Sequence, residues 1–173
     1  MSLDALIAGM LHPLFAPTHA LALLAVALLI GRQRRRRLQS AAFAAALAAG
    51  LAAIAHGFAQ TWAVDVLLAA AALGAGLVAF AAPVPTPICV LLAAIVGASL
   101  GLDSPPQVIA LATATVMLIG TGLGGCLALA LVAAGASRLT RDWQRIGVRI
   151  LGSWIAASAM LVLALRYVRG MLF

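Results

Sequence analysis

Residues 3–30 read LDALIAGMLHPLFAPTHALALLAVALLI, a run in which Asp4 is the one acidic or basic residue apart from two histidines. A helix needs about 20 mostly apolar residues to cross the hydrocarbon core of a bilayer. Backbone amides find no water there, so a spanning segment must be a helix or part of a closed barrel. The run lacks the alternation of polar and apolar residues that barrel strands show. It therefore predicts a transmembrane helix.

The rest of the chain has the same character. Of 173 residues, 65% are hydrophobic and 9% charged, and the mean hydropathy is +1.17. A soluble domain has far more charge. We expect an all-α polytopic transmembrane bundle of about six helices, forming a single integral membrane domain over 1–173. The approximate spans are 3–30, 39–55, 64–81, 88–102, 108–134 and 146–168.

The basic residues indicate topology. All eleven are arginines, against four aspartates, for a net charge of +7. Eight of them cluster at 32–37 and 138–145, in short loops between apolar runs, where positive charge stays cytoplasmic and contacts anionic lipid. This arrangement predicts a multi-pass protein with its N-terminus outside. The partner it implies is the lipid bilayer, and nucleic acid is not expected.

Two prolines interrupt the first span. Pro13 and Pro17 have no N–H to donate to the carbonyls of Gly9 and Pro13, so we expect this helix to be kinked or broken there. In an unbroken helix His12 and His19 would stand about 10 Å apart along the axis. A break allows the two imidazoles to share a metal ion, for which the metal site residues would be His12 and His19. The alternative is that each histidine only hydrogen-bonds a neighbouring helix or a freed carbonyl.

Other polar side chains within or beside the spans extend this idea. Ionisable groups in a membrane are costly and tend to face a bundle interior or an aqueous path. The predicted topology places His56, Asp65 and Asp103 towards the outer side, as a possible substrate path. No Ser/His/Asp or Cys/His arrangement is evident, so we expect no catalytic residues and no enzyme. The motifs Gly97-x-x-x-Gly101 and Gly120-x-x-x-Gly124 allow close helix packing.

The stretch Gly9–Leu28 resembles the first-helix signature of the HupE/UreJ family, small bacterial membrane proteins regarded as nickel or cobalt permeases. That signature reads approximately G-x-x-H-P-x-x-G-x-D-H-x-L-A-M, and the positions matched here are His12, Pro13, His19 and Leu21. The last helix, with Arg149-Ile150-Leu151-Gly152 and then Ala156, is similar to the family's R-x-x-G-x-x-x-A ending. The resemblance implies six helices in a bacterial inner (cytoplasmic) membrane.

The chain also departs from the family pattern. Ala16 and Thr18 replace a glycine and an acidic residue of the first signature. A second signature, H-G-x-x-H-G-x-E, aligns with 96–103, where both histidines are missing and Asp103 takes the place of the glutamate. A further histidine of the family's fifth helix falls near Met117, which would favour a softer ion. The resemblance thereby adds Met117 to the possible substrate path.

Two functions follow as hypotheses. The first is a permease for a divalent transition-metal ion (nickel, cobalt or copper) taken from the outer face. No cofactor is expected apart from such an ion bound as it passes. The second is a non-transporting structural or accessory subunit of a larger membrane complex, with a membrane-protein partner or a second copy of the chain packed on its Ala- and Gly-rich helices.

Overall fold

The computed structural model describes residues 3–58, 60–105 and 111–172. Within these ranges the chain forms helices and no strands, so the predicted all-α class is confirmed. The seven helices are α1 (Leu3–Phe15), α2 (Pro17–Gly31), α3 (Arg36–Ala55), α4 (Ala63–Ala79), α5 (Thr86–Leu102), α6 (Leu111–Ser137) and α7 (Asp142–Leu172). The start predicted for the fifth span, at Val108, lies outside the described residues.

The first predicted span is two helices, α1 and α2, bent by 72°. The break is at Ala16, whose backbone is extended (φ −79°, ψ 112°) immediately before Pro17. A proline ring disfavours the helical conformation in the residue before it, and its fixed φ suits the first position of a new helix. Pro13 stays inside α1. The predicted interruption is thus confirmed, and Pro17 is where the helix breaks.

Helix length bears on the number of crossings. By length and composition, three of the described helices can cross a membrane, or four if the bent pair counts as one span. These are α3, α6 and α7, with α1 and α2 as the pair. The apolar helices α4 and α5 have 17 residues each, somewhat short of the about 20 that an untilted span needs. Six crossings therefore stay a prediction.

Helix α2 lies at the centre of the bundle. Its residues from Ala22 onwards are almost all buried, and it packs against α4, α6, α7 and α5. A helix that is apolar and buried on all sides forms the core of such a bundle. Helix α2, the half of the bent segment that carries His19, is therefore held in place by its neighbours.

Two pairs of helices approach through glycines. Gly120 and Gly124 on α6 lie so close to the α1 backbone, at Leu6 and Met10, that a Cβ at either glycine would collide with a carbonyl oxygen. Gly97 and Gly101 on α5 lie in the same way against Phe43 and Leu47 of α3. Both predicted glycine motifs therefore do mediate close packing. In each pair the residue numbers rise together, so the paired helices run parallel.

The directions of the helices form a consistent pattern. The pairs α1–α6 and α3–α5 are parallel, whereas α4 and α7 are antiparallel, since Ala79 contacts Arg149 and Asp65 contacts Arg166. Six successive crossings would give these same relative directions. Asp65 and Asp103 then lie at one end of the bundle and the arginine-rich loops at the other.

Candidate functional site

The break before Pro17 brings the two histidines of the first segment together. His12 lies in the last turn of α1 and His19 in the first turn of α2. Their ring centroids are 5.3 Å apart and the rings are nearly perpendicular, at 77°. Two imidazoles on one ion, each with a nitrogen about 2.1 Å from it, have centroids about 5 Å apart. The spacing is thus compatible with a shared ion.

The carboxylate of Asp103, at the end of α5, lies next to the two histidines. Nε2 of His19 lies 3.0 Å from Oδ2 of Asp103, the residue that follows the last turn of α5. The His19 side chain is 2% exposed and that of Asp103 is 28% exposed. The pair therefore joins a buried imidazole to a carboxylate that reaches the surface of the chain. The carboxylate beside His19 therefore comes from the C-terminal end of α5.

The two close helix contacts made through glycines, α1 with α6 and α3 with α5, support the helix ends that carry this cluster. His12 follows Gly9 by one turn, and Gly9 is itself packed against the backbone of Met117 on α6. Asp103 follows Gly101 by two residues, so the close contact of Gly101 with α3 fixes the end of α5 that precedes Asp103. The hydroxyl of Ser104, the residue after Asp103, is buried and donates to the carbonyl of Leu100 at 2.7 Å. The first segment and α5 are each clamped close to the site.

The second ring nitrogen of His19 is chemically informative. An ionised carboxylate only accepts hydrogen bonds, so Nε2 carries the proton in the contact with Asp103 and Nδ1 holds a lone pair. Nδ1 is buried and has no hydrogen-bond partner among the described residues. Histidines that bind metal commonly donate their other N–H to a carboxylate, which fixes the tautomer and orients the ring. His19 has this arrangement, with Nδ1 as the free ligand atom.

The cluster is not a finished coordination shell. Across residues 3–58, 60–105 and 111–172, no three His, Cys, Asp or Glu side chains form a group that could hold an ion. With Asp103 engaged by Nε2, two imidazole nitrogens remain for an ion. Water or backbone oxygens would have to supply the other ligands. The prolines leave the carbonyls of Gly9 and Pro13 without their helical donors, so such oxygens are available nearby in the chain.

His56 and Asp65 of the predicted path belong to α3 and α4, whereas the backbone of Met117 packs against Gly9, one turn before His12. Asp65 accepts a hydrogen bond from Nε of Arg166 at 2.7 Å, with both side chains partly exposed. His56 is exposed and caps the C-terminal end of α3. Met117 lies half-buried on α6, where its carbonyl accepts from the hydroxyl of Thr121 at 3.0 Å. The structure thus groups Asp103 with the two histidines and gives Asp65 a different partner.

The sequence did not predict the surroundings of two polar residues, Arg166 and Gln39. Arg166 pairs with Asp65 across 101 positions of the chain, a separation that no local pattern reveals. Gln39 is fully buried, and both ends of its amide lack a partner in the described part of the chain. Its position at the edge of a predicted span, next to Ser40, was the one available signal.

Comparison with known proteins identifies the family. Neither the curated proteins nor the solved structures include a match to this chain. A family model described as HupE / UreJ protein matches residues 2–162, which is most of its length. The match includes both histidines of the first segment, Asp103 and the start of the last helix. The chain belongs to the HupE/UreJ family.

Proposed function

We propose that this protein is a permease for a divalent transition-metal ion, taken up from the face of the membrane at which Asp103 lies. Membership in the HupE/UreJ family supports, at the level of the family, a membrane protein with a role related to nickel or cobalt transport. The choice of ion, the orientation of the chain and the residues that bind the ion are the parts we propose.

The observation that carries the proposal is the hydrogen bonding of the two ring nitrogens of His19. Its buried Nδ1 has no partner in the described structure, and its Nε2 is held by Asp103. A buried polar atom without a hydrogen bond is costly, and a cation would satisfy this lone pair directly. His12 is half-buried and supplies the second imidazole, whose ring centroid lies 5.3 Å from that of His19. An ion would bind to His12 and to Nδ1 of His19, with Asp103 orienting the ring.

Ligand chemistry guides the choice of ion. Imidazole nitrogens are borderline ligands that suit nickel, cobalt, copper and zinc, whereas magnesium and calcium prefer oxygen. Two imidazoles with water or carbonyl oxygens form an incomplete, weak shell. A permease needs such a shell, because an ion held too tightly would not leave. Of the three ions predicted from the sequence, nickel and cobalt need no thioether, and copper is favoured only if the sulfur of Met117 takes part.

Uptake by proteoliposomes tests the proposal. Vesicles that contain the purified protein should accumulate radiolabelled nickel or cobalt, and His12→Ala or His19→Ala should reduce uptake to the level of protein-free vesicles. His56→Ala is the matched control, because that histidine is exposed at the end of α3 and should leave uptake unchanged. Wild-type uptake of nickel, cobalt and copper no greater than that of empty vesicles would refute the permease.

A further inference from the structure

The arginine-rich end of the bundle holds a cavity of about 520 Å³. It lies where α2 ends, α6 passes into the following loop and α7 begins. Its walls include three arginines and two hydroxyl residues, namely Arg32, Arg145, Arg149, Ser137 and Thr140. This size is in the range of small-ligand sites. The cavity is far along the bundle from the histidine cluster and plays no part in the proposed permeation site.

Close packing of α2 on α6 builds one wall. A Cβ at Gly31 would collide with the side chain of Ala136 and lie 2.9 Å from the carbonyl of Ala133. The glycine therefore lets the end of α2 rest against the last turns of α6. Arg32, which follows Gly31, and Ser137, which follows Ala136, both line the cavity.

Two of the three guanidinium groups are anchored in place. Nη1 of Arg32 donates to the carbonyl of Val78 at 3.1 Å, and Nε of Arg149 donates to that of Ala79 at 2.9 Å. These carbonyls belong to the last turn of α4, where the helix dipole favours cations, and that of Val78 also accepts from the backbone N–H of Ala81. A guanidinium has five N–H donors, so each anchored arginine keeps further donors for a ligand. The anchors lower the entropy lost when a ligand binds.

The positive charge that lines the cavity favours an anionic ligand. Three guanidinium groups line it, and no carboxylate does so among the described residues. The ion pairs found in those residues, His19–Asp103 and Arg166–Asp65, both involve other parts of the chain. Phosphate matches the planar fork of arginine through two parallel hydrogen bonds, and the hydroxyls of Ser137 and Thr140 are further donors. We propose that this cavity binds a phosphate group, carried either by an anionic phospholipid headgroup or by a free phosphate.

Titrating the thermal unfolding of the purified protein in a non-ionic detergent tests this site. The probes are short-chain phosphatidylglycerol, short-chain phosphatidylcholine and inorganic phosphate. Phosphatidylglycerol should raise the unfolding midpoint saturably. Arg145→Gln should raise its half-saturating concentration by about tenfold, because a charge-assisted contact is lost. Arg145 makes no hydrogen bond among the described contacts through its side chain, so the variant should unfold at the wild-type midpoint when no probe is present.

Arg138→Gln is the matched control, because it removes an exposed arginine from the loop just before α7, and this arginine does not line the cavity. Its half-saturating concentration should stay within about twofold of wild type. A response to phosphatidylglycerol alone identifies a lipid headgroup as the source, and a response to inorganic phosphate as well identifies a site for either form. Equal responses to phosphatidylcholine, equal losses in Arg145→Gln and Arg138→Gln, or no response to any probe would overturn the proposal.

Discussion

Asp103 and Asp65 lie at the same end of the bundle, yet their surroundings differ. The carboxylate of Asp103 is bound to a histidine that is 2% exposed, whereas that of Asp65 is bound to an arginine that is 43% exposed. From the sequence both were predicted to attract a cation along the same path. The structure gives one of them a buried imidazole as its partner and the other a partly exposed guanidinium.

The difference shows how the same acidic residue serves two purposes. A guanidinium keeps its proton under all physiological conditions, so Arg166 offsets the charge of Asp65 and offers no lone pair to an ion. An imidazole that donates one N–H to a carboxylate keeps a lone pair on its other nitrogen. Asp103 can therefore prepare His19 as a ligand, while the Asp65–Arg166 pair ties α4 to α7. Variants of the two pairs should accordingly have unequal effects.

Among variants that keep both histidines, the largest effect is expected for Asp103→Asn. The amide can still accept a hydrogen bond from Nε2, but the negative charge that fixes the tautomer of His19 and strengthens it as a ligand is lost. Nickel uptake into proteoliposomes should fall by about 10–100-fold, the range typical of such supporting residues. Asp65→Asn, measured in parallel, should change uptake by less than about twofold. Equal losses in the two variants would remove the distinction between the two aspartates.

A smaller effect is expected for Pro17→Ala, which acts on the helix break and leaves both aspartates in place. Alanine restores an N–H for the carbonyl of Pro13 and lets Ala16 become helical. The histidines then move towards the about 10 Å separation of a continuous helix. The packing of α1 on α6 and of α2 in the core limits this movement, so nickel uptake should fall by only about fivefold.

Pro83→Ala, in the loop between α4 and α5, is the control for Pro17→Ala and should retain wild-type uptake. If both proline variants transport normally, the bend at Ala16 is not what brings the imidazoles into use.

The smallest effect is expected for Arg166→Gln. A partly exposed ion pair contributes about 0.2–1 kcal/mol, so the free energy of unfolding in a denaturant titration should fall by no more than this. Nickel uptake should be unchanged, although Asp65 is now free of its partner. A rise in uptake would show that Asp65 recruits ions once Arg166 is removed, and would bring Asp65 back into the path.

Sequence patterns predicted the local features of this molecule well. The apolar runs indicated an all-α bundle, and the rule for the residue before a proline accounts for the break at Ala16. Two histidines seven positions apart with a proline-broken helix between them were enough to nominate the site. Each of these features depends on residues that are near one another in the chain.

Contacts between distant residues could not be predicted in this way. His19 and Asp103 are 84 positions apart, and Asp65 and Arg166 are 101 apart. Spacing along the chain carries no information about which carboxylate meets which base. The glycine motifs had the same limit, because they predicted close packing without naming the partner helices. The partner of Gly120 is α1, which carries His12, and the partner of Gly97 is α3, which packs against the helix that ends just before Asp103.

X-ray absorption spectroscopy at the nickel edge, on purified protein with one equivalent of nickel, tests the central claim most directly. We predict scattering from imidazole rings with nitrogens at about 2.0–2.1 Å, present in the wild type and in His56→Ala. The variant with both His12→Ala and His19→Ala should lose it. A wild-type spectrum with oxygen ligands alone, or one that the double variant reproduces, would contradict the assignment of these two histidines to the ion.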